Sequence, residues 1–259
     1  MTNKSIGFIG GGRVAKIILQ GWKKAGKVPA HIVVTDIDAQ VLGNLQSEFH
    51  NIETAVNNSK LSASSDIVFI GLHPPVLGGI LQEIKPVVKP STIVVSLAPK
   101  ISIAKLSEDL GDIKNIARVI PNAPSIVNKG YNPAAFFPEI SAGAKQTVLE
   151  LFRPLGDTPE VAEELLEAYA IFTAMGPTYL WFQLYELQAL IMSFGLSANA
   201  IQDGLTKMLD GAVQTIFESG LSPAEVMNLI PLKPLAEEET VIKGFYQNRL
   251  TALYKKLKS

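Results

Sequence analysis

The chain has no cysteine among its 259 residues, so disulfides, thiolate metal sites and thiol nucleophiles are excluded from the start. Histidine is nearly as scarce. His31, His50 and His73 lie far apart, and none falls in a His-x-x-x-His or His-Glu-x-x-His spacing that would set two metal ligands on one helix face; no metal is expected. Charge is thin, at 18% of residues with a formal net of -1, and the one basic run is the short tail Lys255-Lys256-Leu257-Lys258. Neither nucleic acid nor an anionic membrane meets an electrostatic footprint here, which leaves a small molecule as the expected partner. A Gly-x-Ser-x-Gly hydrolase turn and a Gly-x-x-x-x-Gly-Lys-Ser/Thr phosphate loop are both missing. The amino terminus opens on charged Lys4 where a leader would be apolar, so the cytoplasm is the expected compartment.

What the chain does have is apolar content, 47%, enough for a substantial core. From Ser5 to Pro121, β-branched runs (Ile6–Ile9, Ile32–Thr35, Ile67–Leu72, Ile93–Leu97 and Ile116–Ile120) alternate with stretches whose apolar residues recur at helical spacing, such as Val14, Ile18, Trp22 and Ala25. Runs that are apolar throughout suit strands covered by helices on both faces. Past about Thr158 the strand signal fades into helical stretches: roughly Glu163–Met175, Pro177–Phe194, Asn199–Ser219, Ser222–Leu229 and Glu237–Lys258, with Gly195 and Gly220 at stops. The segment Tyr179–Phe194 is apolar around most of its circumference, yet Gln183, Glu186 and Gln188 argue against a membrane span, so burial in protein is expected, partly against a second subunit.

Ile6-Gly7-Phe8-Ile9-Gly10-Gly11-Gly12-Arg13-Val14-Ala15 reads as a strand that ends in Gly-x-Gly-x-x-Ala and runs into a helix. Gly10 allows the tight turn, Gly12 lets backbone approach a pyrophosphate at the helix amino terminus, and small Ala15 lets helix and sheet pack closely. Asp36 closes the second strand, where a carboxylate accepts the adenosine ribose hydroxyls and repels a 2′-phosphate. It favours NAD slightly over NADP, although Arg13 in the phosphate loop offers a guanidinium that would grip a phosphate or stack on adenine. The expected fold class is therefore α/β: a Rossmann-like, doubly wound, mainly parallel sheet over residues 1–157, followed by an all-α domain over 158–259 for substrate and dimerisation.

With these segments in order, the sequence resembles the pyrroline-5-carboxylate reductases, which reduce a cyclic imine with NAD(P)H in proline biosynthesis. Ile6–Gly12 looks like the family's opening, Ser65–Pro74 is similar to its strand ending in Lys-Pro, Val94–Ala98 to its next strand, and Ala117-Arg118-Val119-Ile120-Pro121-Asn122-Ala123-Pro124 to its Arg-x-Met-Pro-Asn-x-Pro segment. Gly176-Pro177-Thr178-Tyr179 resembles the opening of its long dimer helix. The resemblance implies that Gly10, Gly12, Arg13 and Val14 hold the pyrophosphate, with Asp36 and Asn58 near the adenosine. It places Leu72, His73, Pro74 and Ala98 along the nicotinamide ribose, and Asn122 near nicotinamide and substrate.

Two departures fall where substrate is expected. The family's Ser-Gly-Ser-Gly-Pro turn is here Phe172-Thr173-Ala174-Met175-Gly176-Pro177, and its Pro-Gly-Gly-Thr-Thr loop, whose threonine contacts the pyrroline, is here Ile230-Pro231-Leu232-Lys233-Pro234-Leu235-Ala236. The substrate crevice is expected between Asn122 and the turn carrying Thr173, Gly176 and Pro177, with Thr173, Lys233 and Tyr179 as candidate proton donors. The expected activity is reduction of a cyclic imino acid. The alternatives are the same architecture acting on a ketone, a hydroxy acid or a deazaflavin, and a non-catalytic dinucleotide-binding protein.

Overall fold

A computed structural model describes residues 3–258. Its centre is a seven-stranded sheet in the order β3-β2-β1-β4-β5-β6-β8, built from β1 (Ile6–Ile9), β2 (Ile32–Asp36), β3 (Ile52–Val56), β4 (Ile67–Ile70), β5 (Ile93–Ser96), β6 (Ile116–Val119) and β8 (Ala134–Phe136). Six strands run parallel, and β8 closes the edge antiparallel to β6, with Arg118 opposite Ala135. A short pair, β7 (Gly130–Tyr131) with β9 (Gly156–Asp157), lies apart. The chain order reverses between β1 and β4, the switch point at which such sheets open a crevice beyond the strands' carboxyl ends.

The inner strands are covered on both faces: β1, β4, β5 and β6 are buried at every position, including Ser96 of β5 and Arg118 of β6. On one face α1 (Arg13–Lys24) inserts Ala15, Ile18, Leu19 and Trp22. There Phe8 stacks on Phe69 at 4.7 Å, the Trp22 ring meets Phe8 edge-on at 6.0 Å, and the Trp22 indole N–H donates to the Leu151 carbonyl at 2.8 Å. An aromatic buried with its one polar atom satisfied brings large apolar area without an orphan donor. On the other face α4 (Pro74–Ile84) and α5 (Ile103–Asp109) bury Leu77, Leu81, Ile84, Ile103 and Leu106.

β3 and β8 carry no strand signal in the sequence. β3 is an edge strand whose pattern Ile-Glu-Thr-Ala-Val buries only Ile52 fully, and β8 is three residues rich in alanine, a poor strand former that is a strand only because β6 pairs with it. The helix expected over Glu163–Met175 is three pieces: a 3-10 turn Glu163–Leu165, α7 (Leu166–Tyr169) and a π-helical turn Ala170–Ala174. Buried Arg118 fixes this stretch, donating to Glu163 and Glu167 at 2.8 Å each, while Glu163 also accepts the Ile103 N–H at 2.7 Å.

The chain divides into two compact units, the first up to Met175 together with the chain end from Tyr254, the second from Gly176 to Leu253. Residues 158–175 belong with the sheet because Leu166, Ala170 and Ile171 are buried there. The second unit holds α8 (Gly176–Ser193), α9 (Ala198–Glu218), α10 (Pro223–Asn228) and most of α11 (Glu239–Lys258). Gly195 and Gly220 adopt positive φ, +98° and +73°, where helices α8 and α9 end. No residue of α8 is fully buried, and Phe182 and Tyr185 are 68% and 71% exposed.

Candidate dinucleotide site

Gly10 leaves β1 at φ +99°, and a Cβ there would stand 2.7 Å from the Gly71 carbonyl, so both conformation and space demand glycine. Gly12 is the residue that caps α1, and around its missing Cβ there is no atom within 4 Å. No side chain caps this helix and no acidic residue sits in its first turn, so the amides of its opening turn face outward with the positive end of the helix dipole. Arg13 is exposed at the first helical position; Val14 is half-buried against the core.

Asp36 ends β2 and turns back onto this loop. One carboxylate oxygen accepts the Gly11 N–H at 2.7 Å and the other accepts the Asp38 N–H at 3.0 Å. A carboxylate has about four acceptor positions, so two stay open for hydroxyl donors. Beside it lies a cleft of about 410 Å³ lined by Gly10, Asp36, Asn57, Asn58, Leu72 and, at the rim, exposed Ile37 and Val76. No lysine or arginine is among its lining residues. Open space at Gly12, an uncapped helix start, spare carboxylate lone pairs and apolar rims fit a dinucleotide, with the adenosine in the cleft and the diphosphate on the helix.

Of the expected cofactor residues, the structure brings Gly10, Asp36, Asn58 and Leu72 to this one cleft, with Asn58 exposed just ahead of α3 (Ser59–Ala63). His73 is exposed and caps α4 without a side-chain hydrogen bond, Pro74 is the first residue of that helix, and Ala98 is buried just beyond β5. Ile37, Asn57 and Val76 were missed: an exposed β-branched residue after a strand, or an asparagine at φ +52°, has no motif to mark it.

Asn122 is buried after β6, and both ends of its side chain are taken up by the protein: its Oδ1 accepts the Tyr131 N–H at 3.1 Å and its Nδ2 donates to the Thr173 carbonyl at 3.2 Å. The structure thus joins Asn122 and Thr173, though through backbone. The Thr173 hydroxyl itself donates to the Tyr169 carbonyl at 3.0 Å inside the π-helical turn. Gly176 and Pro177 open α8 in the second unit. There Tyr179 meets Tyr246 edge-on at 6.0 Å, and burial pushes its phenol above the ordinary tyrosine range. Lys233 borders a separate apolar hollow with Met227, Leu235 and Ile242. Among the described residues no group of histidines and carboxylates is placed to hold a metal ion, and no helix is long and apolar enough to cross a membrane.

Residues 5–100 match the family model described as NADP oxidoreductase coenzyme F420-dependent. The chain is 26% identical over 254 residues to a pyrroline-5-carboxylate reductase of Pseudomonas aeruginosa, covering 98% of this chain and 92% of the relative. A pyrroline-5-carboxylate reductase of Corynebacterium melassecola is 27% identical over 225 residues, 86% of this chain and 83% of its own. Among solved structures, the 1-pyrroline-5-carboxylate reductase of Streptococcus pyogenes superposes with a TM-score of 0.79 at 19% identity, covering 99% of both chains. The pyrroline carboxylate reductase of Plasmodium falciparum, solved with NADP bound, gives 0.74 at 20%, covering 99% of this chain and 95% of that one. A switch-point sheet with an uncapped, glycine-led helix and a carboxylate at the end of its second strand is thus joined to a similarity along nearly the whole chain to pyrroline-5-carboxylate reductases: the protein is an NAD(P)-dependent oxidoreductase that resembles those enzymes.

Proposed function

We propose that this chain reduces the C=N bond of a cyclic imino acid, pyrroline-5-carboxylate or a close analogue, using NADH in preference to NADPH. The observation that carries the reading is the junction of the glycine turn, the open amides of α1 and the Asp36 carboxylate on one cleft. In this reading Gly10, Gly12, Arg13 and Val14 hold the diphosphate. Asp36 and Asn58 take the adenosine ribose, Ile37 and Val76 flank the adenine, and Leu72, His73, Pro74 and Ala98 line the nicotinamide half. When bound, the reduced nicotinamide supplies the hydride. The protein's share is positioning and a proton, since hydride transfer needs a close, aligned approach more than covalent help.

Preference for NADH follows from Asp36 and from the lack of any cation lining the cleft that would neutralise a 2′-phosphate. The bare apolar face of α8 fits a second copy of this chain, so a homodimer is the working assembly, and the cytoplasm is the working location. The test is oxidation of NADH on addition of pyrroline-5-carboxylate: turnover supports the reading, and binding of NADH without turnover on this compound favours a different acceptor. That second reading draws on the segment Ile230–Ala236, which offers neither glycine nor threonine.

A further inference from the structure

The sequence offers Thr173, Lys233 and Tyr179 as proton donors. The Thr173 hydroxyl hydrogen is committed to the Tyr169 carbonyl at 3.0 Å, and Lys233 and Tyr179 belong to the second unit. Asn122, just after β6, is linked to two further tyrosines, Tyr131 and Tyr169. The Tyr131 N–H donates to Asn122 Oδ1, Asn122 Nδ2 donates to the Thr173 carbonyl, and the Thr173 hydroxyl donates to the Tyr169 carbonyl. The Tyr169 ring lies 6.2 Å from the Tyr131 ring at 34°, which closes a circuit of four residues. The circuit fixes both rings from the backbone side and leaves Tyr131 37% exposed. Its member Asn122 follows β6 at the carboxyl end of the sheet, where α/β folds receive their ligands.

We propose that Tyr131, its ring packed beside that of Tyr169, is the catalytic proton donor of the reductase. The proposal rests on the imine-reductase reading above. In the step it serves, the imine carbon gains the hydride, the C=N π pair moves to nitrogen, and a new N–H bond forms as the Tyr131 O–H bond breaks; NADH leaves as NAD⁺. The phenolate of Tyr131, which is 37% exposed, is reprotonated from water. Tyr131 is suited to giving a proton late: burial first, then the Tyr169 hydroxyl and the Asp157 carboxylate across the β7–β9 pair, hold its phenol above the ordinary range. The donor form is therefore complete at neutral pH and is lost as pH rises through that raised value.

Tyr131→Phe and Tyr169→Phe are compared with the unaltered protein by three measurements: NADH oxidation with pyrroline-5-carboxylate from neutral to alkaline pH, NADH binding by fluorescence, and ultraviolet titration of tyrosinate. Tyr131→Phe is expected to bind NADH normally, to lose about 100-fold in kcat, and to lack one late-titrating tyrosine. Tyr169→Phe is expected to keep most of kcat while its alkaline limb and that same tyrosine both move to lower pH. Retention of kcat within a few-fold in Tyr131→Phe overturns the proposal, as does an alkaline limb that stays in place in Tyr169→Phe, or a loss of kcat of the expected size in His73→Gln instead. If the unaltered protein binds NADH but does not turn over the imine, the substrate reading falls and the donor assignment falls with it. Loss of activity in Tyr131→Phe alongside loss of NADH binding also counts against the assignment, since it marks a structural role.

Discussion

Replacing Asp36 with asparagine separates its electrostatic role from its shape. Asparagine keeps one acceptor oxygen for the Gly11 or Asp38 amide and removes the charge. A 2′-phosphate carries about -1.5 to -2 charges. Held ~5 Å from the carboxylate it is disfavoured by roughly 1.5 kcal/mol in a water-like dielectric and by several kcal/mol in the lower effective dielectric of a half-buried cleft. Since 1.4 kcal/mol is about tenfold in affinity, the NADH-over-NADPH ratio of the unaltered protein should be at least about tenfold and should fall by a similar factor in Asp36→Asn. Loss of one charge-assisted hydrogen bond, at Gly11 or Asp38, also costs about 1.5–3 kcal/mol of stability, which a urea titration reads separately. Fluorescence titration with both reduced cofactors is the assay. A protein that prefers NADPH, or an Asp36→Asn variant whose ratio does not move, refutes the reasoning.

Four other outcomes are expected. Gly12→Val should leave the melting temperature close to the original, because no atom lies within 4 Å of the added Cβ and φ is -67°, yet it should weaken NADH binding at least about tenfold by filling the phosphate approach; calorimetry checks it. Arg118→Ala leaves Glu167 buried without its cation and should cost about 3–5 kcal/mol of unfolding free energy in urea. Asp66 is held below the ordinary carboxylate range by hydrogen bonds from the Ser5 N–H and hydroxyl, so its contribution is present at neutral pH and lost as pH falls through its lowered value. The stability gap between the unaltered protein and Asp66→Asn should therefore close below about pH 4 in acid urea titrations. Glutamate at both Phe182 and Tyr185 should convert a dimer to monomers in sedimentation, without loss of NADH binding.

How far the sequence spoke depended on whether a feature was local. The glycine turn, Asp36 and the inner strands are written in neighbouring residues, because a turn at φ +99° tolerates little but glycine and a strand buried on both faces is mostly apolar. β3 and β8 were illegible because their pairing partners, not their own residues, make them strands. The π-helical turn was illegible because a widened turn leaves no periodic trace in five residues. Asn122 follows β6, and its side chain is spent on Tyr131 and Thr173, partners 9 and 51 residues away, which no local pattern announces. The Tyr131–Tyr169 pair exists only through that long-range closure, so no spacing announces it.

The most direct test uses NADH deuterated at the transferring position of the nicotinamide, incubated with the protein and pyrroline-5-carboxylate, with the product examined by mass spectrometry. Proline carrying one deuterium on the ring carbon that formed the imine is the expected product. Cofactor oxidised without label in the product, or no oxidation of a cofactor that binds, contradicts the assignment as an imine reductase.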